Sequence, residues 1–169
     1  MGAGKTAVGK VLSRKLHMLF FDQDALIAAS TGKTPAEIFA EHGENYFRSI
    51  EASVLKYHIL SAEEPFILAT GGGCPCFFDN MELMIKTGIT VYLKVSPALL
   101  LSRLSSETVK RPLLSGRTLG ELSTFIRDTL MTREPFYQKA NIVIEIDKAQ
   151  SKDIVASRII QALASPPLR

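Results

Sequence analysis

An α/β fold with a central parallel sheet flanked by helices is what the sequence predicts, and three observations predict it. Short runs rich in β-branched and aromatic residues recur at 18–21, 66–70, 89–95 and 142–146, and longer segments with helical periodicity separate them. The runs are apolar without alternation, which is the pattern of strands covered on both faces. Together these features describe a parallel sheet joined by crossover helices.

The elements follow in order. The first helix is expected over Lys5–Leu16, with Val8, Val11, Leu12 and Leu16 on one face to pack on a sheet while its N-terminus points away. Helix starts are signalled at Thr34-Pro35-Ala36-Glu37, Asp79-Asn80-Met81-Glu82 and Thr118-Leu119-Gly120-Glu121, each with a side-chain cap three residues ahead of a Glu. Ser96-Pro97 places Pro at a first helical position. A helix over 119–139 should be kinked or ended by Pro135. The last helix, over 151–164, is expected to bury Ile154, Val155, Ile159, Ile160 and Leu163.

A length of 169 residues suits a single domain over 1–169. With 46% hydrophobic and 22% charged residues, the chain is too apolar for a disordered segment. A net charge of +3 is too small for general nucleic-acid binding, although phosphate ligands remain open. Apolar stretches such as 67–69 and 142–144 fall far short of the roughly 20 residues that cross a bilayer, so no membrane is expected as a partner. The first residues lack a secretory pattern, and the expected location is cytoplasmic. Cys74 and Cys76 stand in one Cys-Pro-Cys step without a second pair, and they are expected to be buried or idle thiols.

Gly2-Ala3-Gly4-Lys5-Thr6 ahead of an amphipathic helix reads as the second half of the phosphate-binding loop G-x-x-x-x-G-K-[ST]. Backbone N–H groups of such a turn, together with the positive end of the helix, can hold phosphate oxygens. Lys5 can bridge β- and γ-phosphates, and the Thr6 hydroxyl can hold Mg²⁺. A glycine-rich helix start with an incidental lysine is the plainer alternative. The full pattern calls for a Gly two positions before Met1, preceded by a buried strand, so an internal methionine of a longer reading frame is the expectation for Met1.

Four further constellations carry chemistry. Asp22 and Asp24 share one side if the backbone stays extended, where one acid can support Mg²⁺ and the other accept a proton from a hydroxyl; a polar turn with Asp24 as a helix cap competes. Arg48 and Glu51, at i and i+3 on a helix, can present a guanidinium oriented by an acid to a planar anion, or form a surface ion pair. Gly71-Gly72-Gly73 after the second strand permits close approach of a ligand to the backbone, or makes a flexible turn. The stretch 105–118 holds Lys110, Arg111 and Arg117 and reads as a mobile basic loop able to close over phosphates, and Arg133 lies on the helix that follows. His17, His42 and His58 have no ligand spacing.

In this order the pieces resemble the shikimate kinase family over nearly the whole chain. Met1–Thr6 resembles its phosphate loop, Asp22-Gln23-Asp24 its D-x-D, Phe47 to Glu51 its F-R-x-x-E, and Gly71 to Gly73 its triple glycine. Arg111-Pro112-Leu113-Leu114 resembles its lid, and Arg133 to Tyr137 its R-x-P-x-Y. The resemblance implies a three-layer P-loop kinase fold without its first central strand, with substrate-binding helices at about 24–61 and a lid at about 105–118. It implies ATP-dependent phosphorylation of the shikimate 3-hydroxyl in aromatic amino-acid biosynthesis, with Mg²⁺ as cofactor and ATP and shikimate as partners.

By the same resemblance Gly2, Ala3, Gly4, Lys5, Thr6 and Ala7 serve ATP, joined by Arg103 at the adenine and by Arg111 from the lid. Thr6 and Asp22 serve the metal, and Asp24 is the base, with Lys5 and Arg111 catalytic beside it. Arg48 and Arg133 grip the shikimate carboxylate, Gly71 to Gly73 approach the ring, and Phe39 and Phe47 wall the pocket. A monomer is expected. The alternatives are a small sugar-acid kinase such as gluconate kinase and a non-catalytic nucleotide-binding module.

Overall fold

The computed structural model describes residues 2–105 and 118–164, and the chain divides into two compact units, Lys5–Thr90 and Met1–Gly4 with Val91–Arg169. The basic stretch with Lys110, Arg111 and Arg117 lies outside the described residues, so the expectations for the lid and for Arg111 are not addressed by the structure.

In the Lys5–Thr90 unit, α1 (Lys5–Leu16) leads to β1 (Leu19–Asp22), α2 (Gln23–Thr31), α3 (Pro35–Leu60), β2 (Phe66–Ala69) and α4 (Asn80–Thr87). β1 and β2 pair in parallel, from Leu19 opposite Phe66 to Asp22 opposite Ala69. The pairing carries β1 one residue beyond the expected 18–21 and delivers Asp22 to the carboxyl end of the strand. α1 occupies the span predicted for it, buries Val8, Val11 and Leu12, and packs on both strands. Gly9 permits that contact, since a Cβ there would lie 2.6 Å from the Phe20 ring.

Gly32 ends α2 in the left-handed conformation (φ 73°) and returns its N–H to the Ala28 carbonyl. Thr34 then opens α3 with a complete capping box: its hydroxyl accepts from the Glu37 N–H, and its own N–H donates to Glu37 Oε2 at 2.7 Å. α3 breaks at Gly43 (φ 78°, ψ 179°), a backbone that L side chains rarely adopt. Ile27 of α2 packs with Ile38 and Phe47 of α3 as a buried cluster, bordered by Ile50 and Val54.

The cap expected from Asp79 is not made. Its backbone (φ −95°, ψ 24°) is not the extended one that lets a cap side chain reach back, and the neighbouring Asn80 is buried instead, donating to the Cys74 carbonyl at 2.9 Å.

In the second unit, β3 (Val91–Val95), α5 (Pro97–Ser105), α6 (Leu119–Tyr137), β4 (Ile142–Ile146) and α7 (Lys152–Ala164) follow one another. β3 and β4 are parallel and in register from Val91 opposite Ile142 to Val95 opposite Ile146. β3 therefore starts two residues later than predicted, because its partner begins only at Ile142. The strands are parallel as the sequence predicts, but they form two pairs, and no described strand joins β2 to β3.

Burial on both faces does not hold for β4, where Ile142, Ile144 and Ile146 are buried while Val143 and Glu145 are exposed. α6 opens with a second capping box, Thr118 with Glu121, and runs through Pro135 to stop at Tyr137, two residues short of the predicted end. α7 buries Val155, Ala156 and Ile159, with Ile160 and Leu163 half-buried. Ile154, expected in the core, is exposed, because the buried stripe starts one residue later.

Candidate functional site

Three loops and helix starts of the Lys5–Thr90 unit converge on Arg48. The helix α3 brings Arg48 and Glu51 to the same face, and both are buried, at 8% and 1% exposure. Glu51 Oε2 accepts from Arg48 Nη1 at 2.8 Å, and Glu44 Oε1 accepts from Arg48 Nε at 3.2 Å and Nη2 at 3.1 Å. The guanidinium carbon lies 4.3 Å from the centre of the Phe77 ring and 5.0 Å from that of Phe47. Burial opposes the charge, and the hydrogen bonds and fields of Glu51 and then Glu44 outweigh it, so Arg48 is held above its ordinary pKa. The i, i+3 pairing read from the sequence is thus a buried ion pair, not a surface one.

The triple glycine passes directly over this pair. A Cβ on Gly73 would lie 2.5 Å from Arg48 Nη2, and one on Gly71 would lie 2.6 Å from Glu51 Oε1. Neither side chain can swing aside easily, because both are buried and paired. The glycines are therefore required by close packing of backbone on ionised side chains, and neither Gly71 nor Gly73 is among the glycines with positive φ.

The residue that ties loop to helix is Gln23, which no motif pointed to beyond its place between the two aspartates. It is 1% exposed. Its Oε1 accepts from the Gly71 N–H at 2.8 Å, and its Nε2 donates to the Glu51 carbonyl at 3.2 Å and to Cys74 Sγ at 3.3 Å. One side chain at the start of α2 thus fixes α3 and the end of β2 together. Cys74 is buried, and desolvation first, then the field of Glu51, pushes its thiol up to about 12, so it stays neutral and serves as packing.

The phosphate side is sparser. Asp22 is the cap of α2: its Oδ1 accepts from the Asp24 N–H at 3.1 Å, while its Oδ2 accepts from the Thr6 hydroxyl at 2.7 Å. The expectation that Asp22 and Asp24 extend side by side along a strand is corrected here. β1 ends at Asp22, Asp24 lies in the first turn of α2, and Asp22, not Asp24, is the cap. Asp24 keeps contact with solvent, yet the protein around it, and next the charge of Asp22, raise its carboxyl pKa, with Lys5 pulling the other way. Lys5, Thr6, Asp22 and Asp24 therefore form one electrostatic group at the N-terminus of α1.

Of the other expected residues, Gly2 (φ 71°) and Gly4 (φ 86°) have the left-handed backbone that glycine adopts readily. Ala3 lies between them, and Ala7 is in the first turn of α1. Arg103 Nη1 donates to the Gly2 carbonyl at 3.1 Å, so it braces the turn from α5. Arg133 is half-buried on α6. Phe47 is buried, whereas Phe39 is 40% exposed, with its ring 5.9 Å from that of Phe47. Gly72 sits half-buried between its two neighbours.

Parallel strand pairs flanked by helices, with a glycine turn running into a helix that starts Lys-Thr and an aspartate beside that lysine, define a phosphotransferase of the P-loop kinase class. The family model described as shikimate kinase matches residues 1–164. A shikimate kinase of Bacteroides fragilis is 44% identical over 161 residues, covering 95% of this chain and 89% of its own. One of Parabacteroides distasonis is 47% identical over 148 residues, covering 88% and 84%. Among solved structures, shikimate kinase from Bacteroides thetaiotaomicron superposes with a TM-score of 0.90 at 40% identity, covering 97% of this chain and 94% of that one. Shikimate kinase from Acinetobacter baumannii in complex with shikimate does so with a TM-score of 0.86 at 35% identity, covering 100% and 91%. The chain belongs to the shikimate kinase family.

Proposed function

We propose a division of labour among these residues for the transfer of the ATP γ-phosphoryl group to the 3-hydroxyl of shikimate, a reaction of aromatic amino-acid biosynthesis. Arg48 is a preformed receptor for the substrate carboxylate, held by Glu51 and Glu44, packed against Phe47 and Phe77, and charged at every working pH. Arg133 is its second carboxylate ligand, Gly71 to Gly73 offer backbone to the ring, and Phe39 and Phe47 wall it. Asp24 accepts the proton from the attacking hydroxyl. Burial, and next the charge of Asp22, raise its pKa towards the working range of a general base.

Gly2, Ala3, Gly4 and Ala7 lend N–H groups to phosphate oxygens, with Lys5 as their point charge. Arg103 serves the adenine, and Arg111 brings charge to the transferring group. The Thr6 hydroxyl and the Asp22 carboxylate are hard oxygen donors 2.7 Å apart, which suits Mg²⁺. Such an ion offsets charge developing on phosphate oxygens.

We read 1–169 as one kinase domain acting as a monomer in the cytoplasm; no helix among the described residues is long and apolar enough to cross a membrane. The observation that carries this reading is the buried Arg48–Glu51 pair beneath the triple glycine, a built receptor for a small planar anion. Assaying phosphoryl transfer from ATP to shikimate and to gluconate side by side tests it. Transfer to shikimate alone is expected, and turnover of gluconate, or of neither acid, would overturn it.

A further inference from the structure

Glu51 and Glu44 both neutralise Arg48, but they do so differently. Glu51 is almost wholly buried beneath Gly71 and accepts from Nη1. The Glu44 side chain is 49% exposed, lies one residue past the break at Gly43, and offers a single oxygen to Nε and Nη2 together. Nε and Nη2 form the side fork of the guanidinium, the edge that a carboxylate can meet with two parallel hydrogen bonds. Phe77 and Phe47 lie against the guanidinium and Gly73 passes over it, which leaves its hydrogen-bonding edges as the places for an acceptor.

We propose that Glu44 is an internal stand-in for the substrate carboxylate: it occupies the side fork of Arg48 until an external carboxylate displaces it. The inference rests on the reading of Arg48 as the carboxylate receptor. With no ligand, a nearly buried guanidinium needs an acceptor on that edge, and Glu44 supplies one from solvent without ordering any other element. With a ligand present, three carboxylates would crowd one cation, and the partner that leaves is the exposed one. One oxygen shared by two N–H groups is a poorer match than two oxygens with one each, and an ion pair with an exposed partner is worth little. Glu44 therefore sets how tightly the acid binds, by competing with it, and leaves the phosphoryl transfer untouched. It also makes the site selective, since a neutral analogue has no charge with which to displace a carboxylate.

Steady-state kinetics of Glu44→Gln and Glu44→Ala test the proposal. Removing the competitor should lower KM for shikimate about three- to tenfold, with kcat and KM for ATP within about twofold of wild type. An unchanged or higher KM for shikimate in the isosteric Gln variant would overturn it, because a carboxylate that orients Arg48 for the substrate predicts that outcome. Arg48→Lys, measured in parallel, separates the two levels. If it leaves KM for shikimate unchanged, the reading of Arg48 itself falls. If it raises KM while the Glu44 variants do not lower it, only the stand-in role falls.

Discussion

Around Arg48 the side chains interlock: a buried ion pair, two aromatic rings, two glycines with no room for a methyl group, and a buried glutamine bonded to helix and loop at once. Around Asp24 they do not: two carboxylates, a lysine and a threonine hydroxyl share an edge open to solvent, joined by a few hydrogen bonds. The difference follows from what each region must hold. A lone carboxylate brings one charge and a fixed plane, so its receptor gains by being rigid before the ligand arrives. A triphosphate brings several charges and its own counterion, and exposed groups can take their final positions around it. Damage to the first region should therefore appear in folding and in KM for shikimate, and damage to the second in kcat.

Asp24→Asn gives the largest effect and the sharpest test of that division. We expect kcat to fall about 10²- to 10⁴-fold, with little change in the denaturation midpoint or in KM for ATP. A comparable loss of stability would erase the contrast. Arg48→Ala strands the Glu51 carboxylate in the interior and should cost about 3–5 kcal/mol by denaturant titration, in addition to any loss of shikimate binding.

Gly73→Ala drives a methyl group into the guanidinium and should cost about 1–3 kcal/mol, with KM for shikimate rising more than kcat falls. Gln23→Met keeps the volume, removes the acceptor for Gly71 and the donor to Glu51, and should cost about 1–3 kcal/mol.

The smallest effect is in pH. Because the Asp24 carboxyl is raised above 3.8 in the folded enzyme, its base form is lost sooner on acidification, and the acid limb of kcat/KM should lie above 3.8. The same shift means that this group favours the folded state below 3.8 and loses that contribution as pH rises through its folded value.

The sequence makes the phosphate side legible because its chemistry lies in contiguous residues: Gly2 to Thr6 and Asp22 to Asp24 each form a local pattern with one mechanism behind it. Helix starts with a reciprocal Thr and Glu, at Thr34 and Thr118, are legible for the same reason, since the whole interaction spans four residues. Gln23 is not legible, because its partners lie 28 and 48 residues away and a buried glutamine looks the same on paper as a surface one. The requirement for Gly71 and Gly73 could be suspected, but its cause, an ionised pair from α3 beneath the loop, exists only in three dimensions. The spacing of Glu44 and Arg48, four residues apart on a helix, is legible, but nothing in the sequence marks that pair off from an ordinary surface one.

Titration calorimetry with shikimate and with its uncharged carboxamide on the wild-type enzyme tests the receptor most directly, since the amide keeps the size and plane of the group and lacks the charge that Arg48 is built to meet. The acid should bind at least about tenfold more tightly than the amide, as expected for a charge-assisted bidentate contact. Equal affinity for the two would show that the carboxylate goes unrecognised, and would contradict the assignment of Arg48.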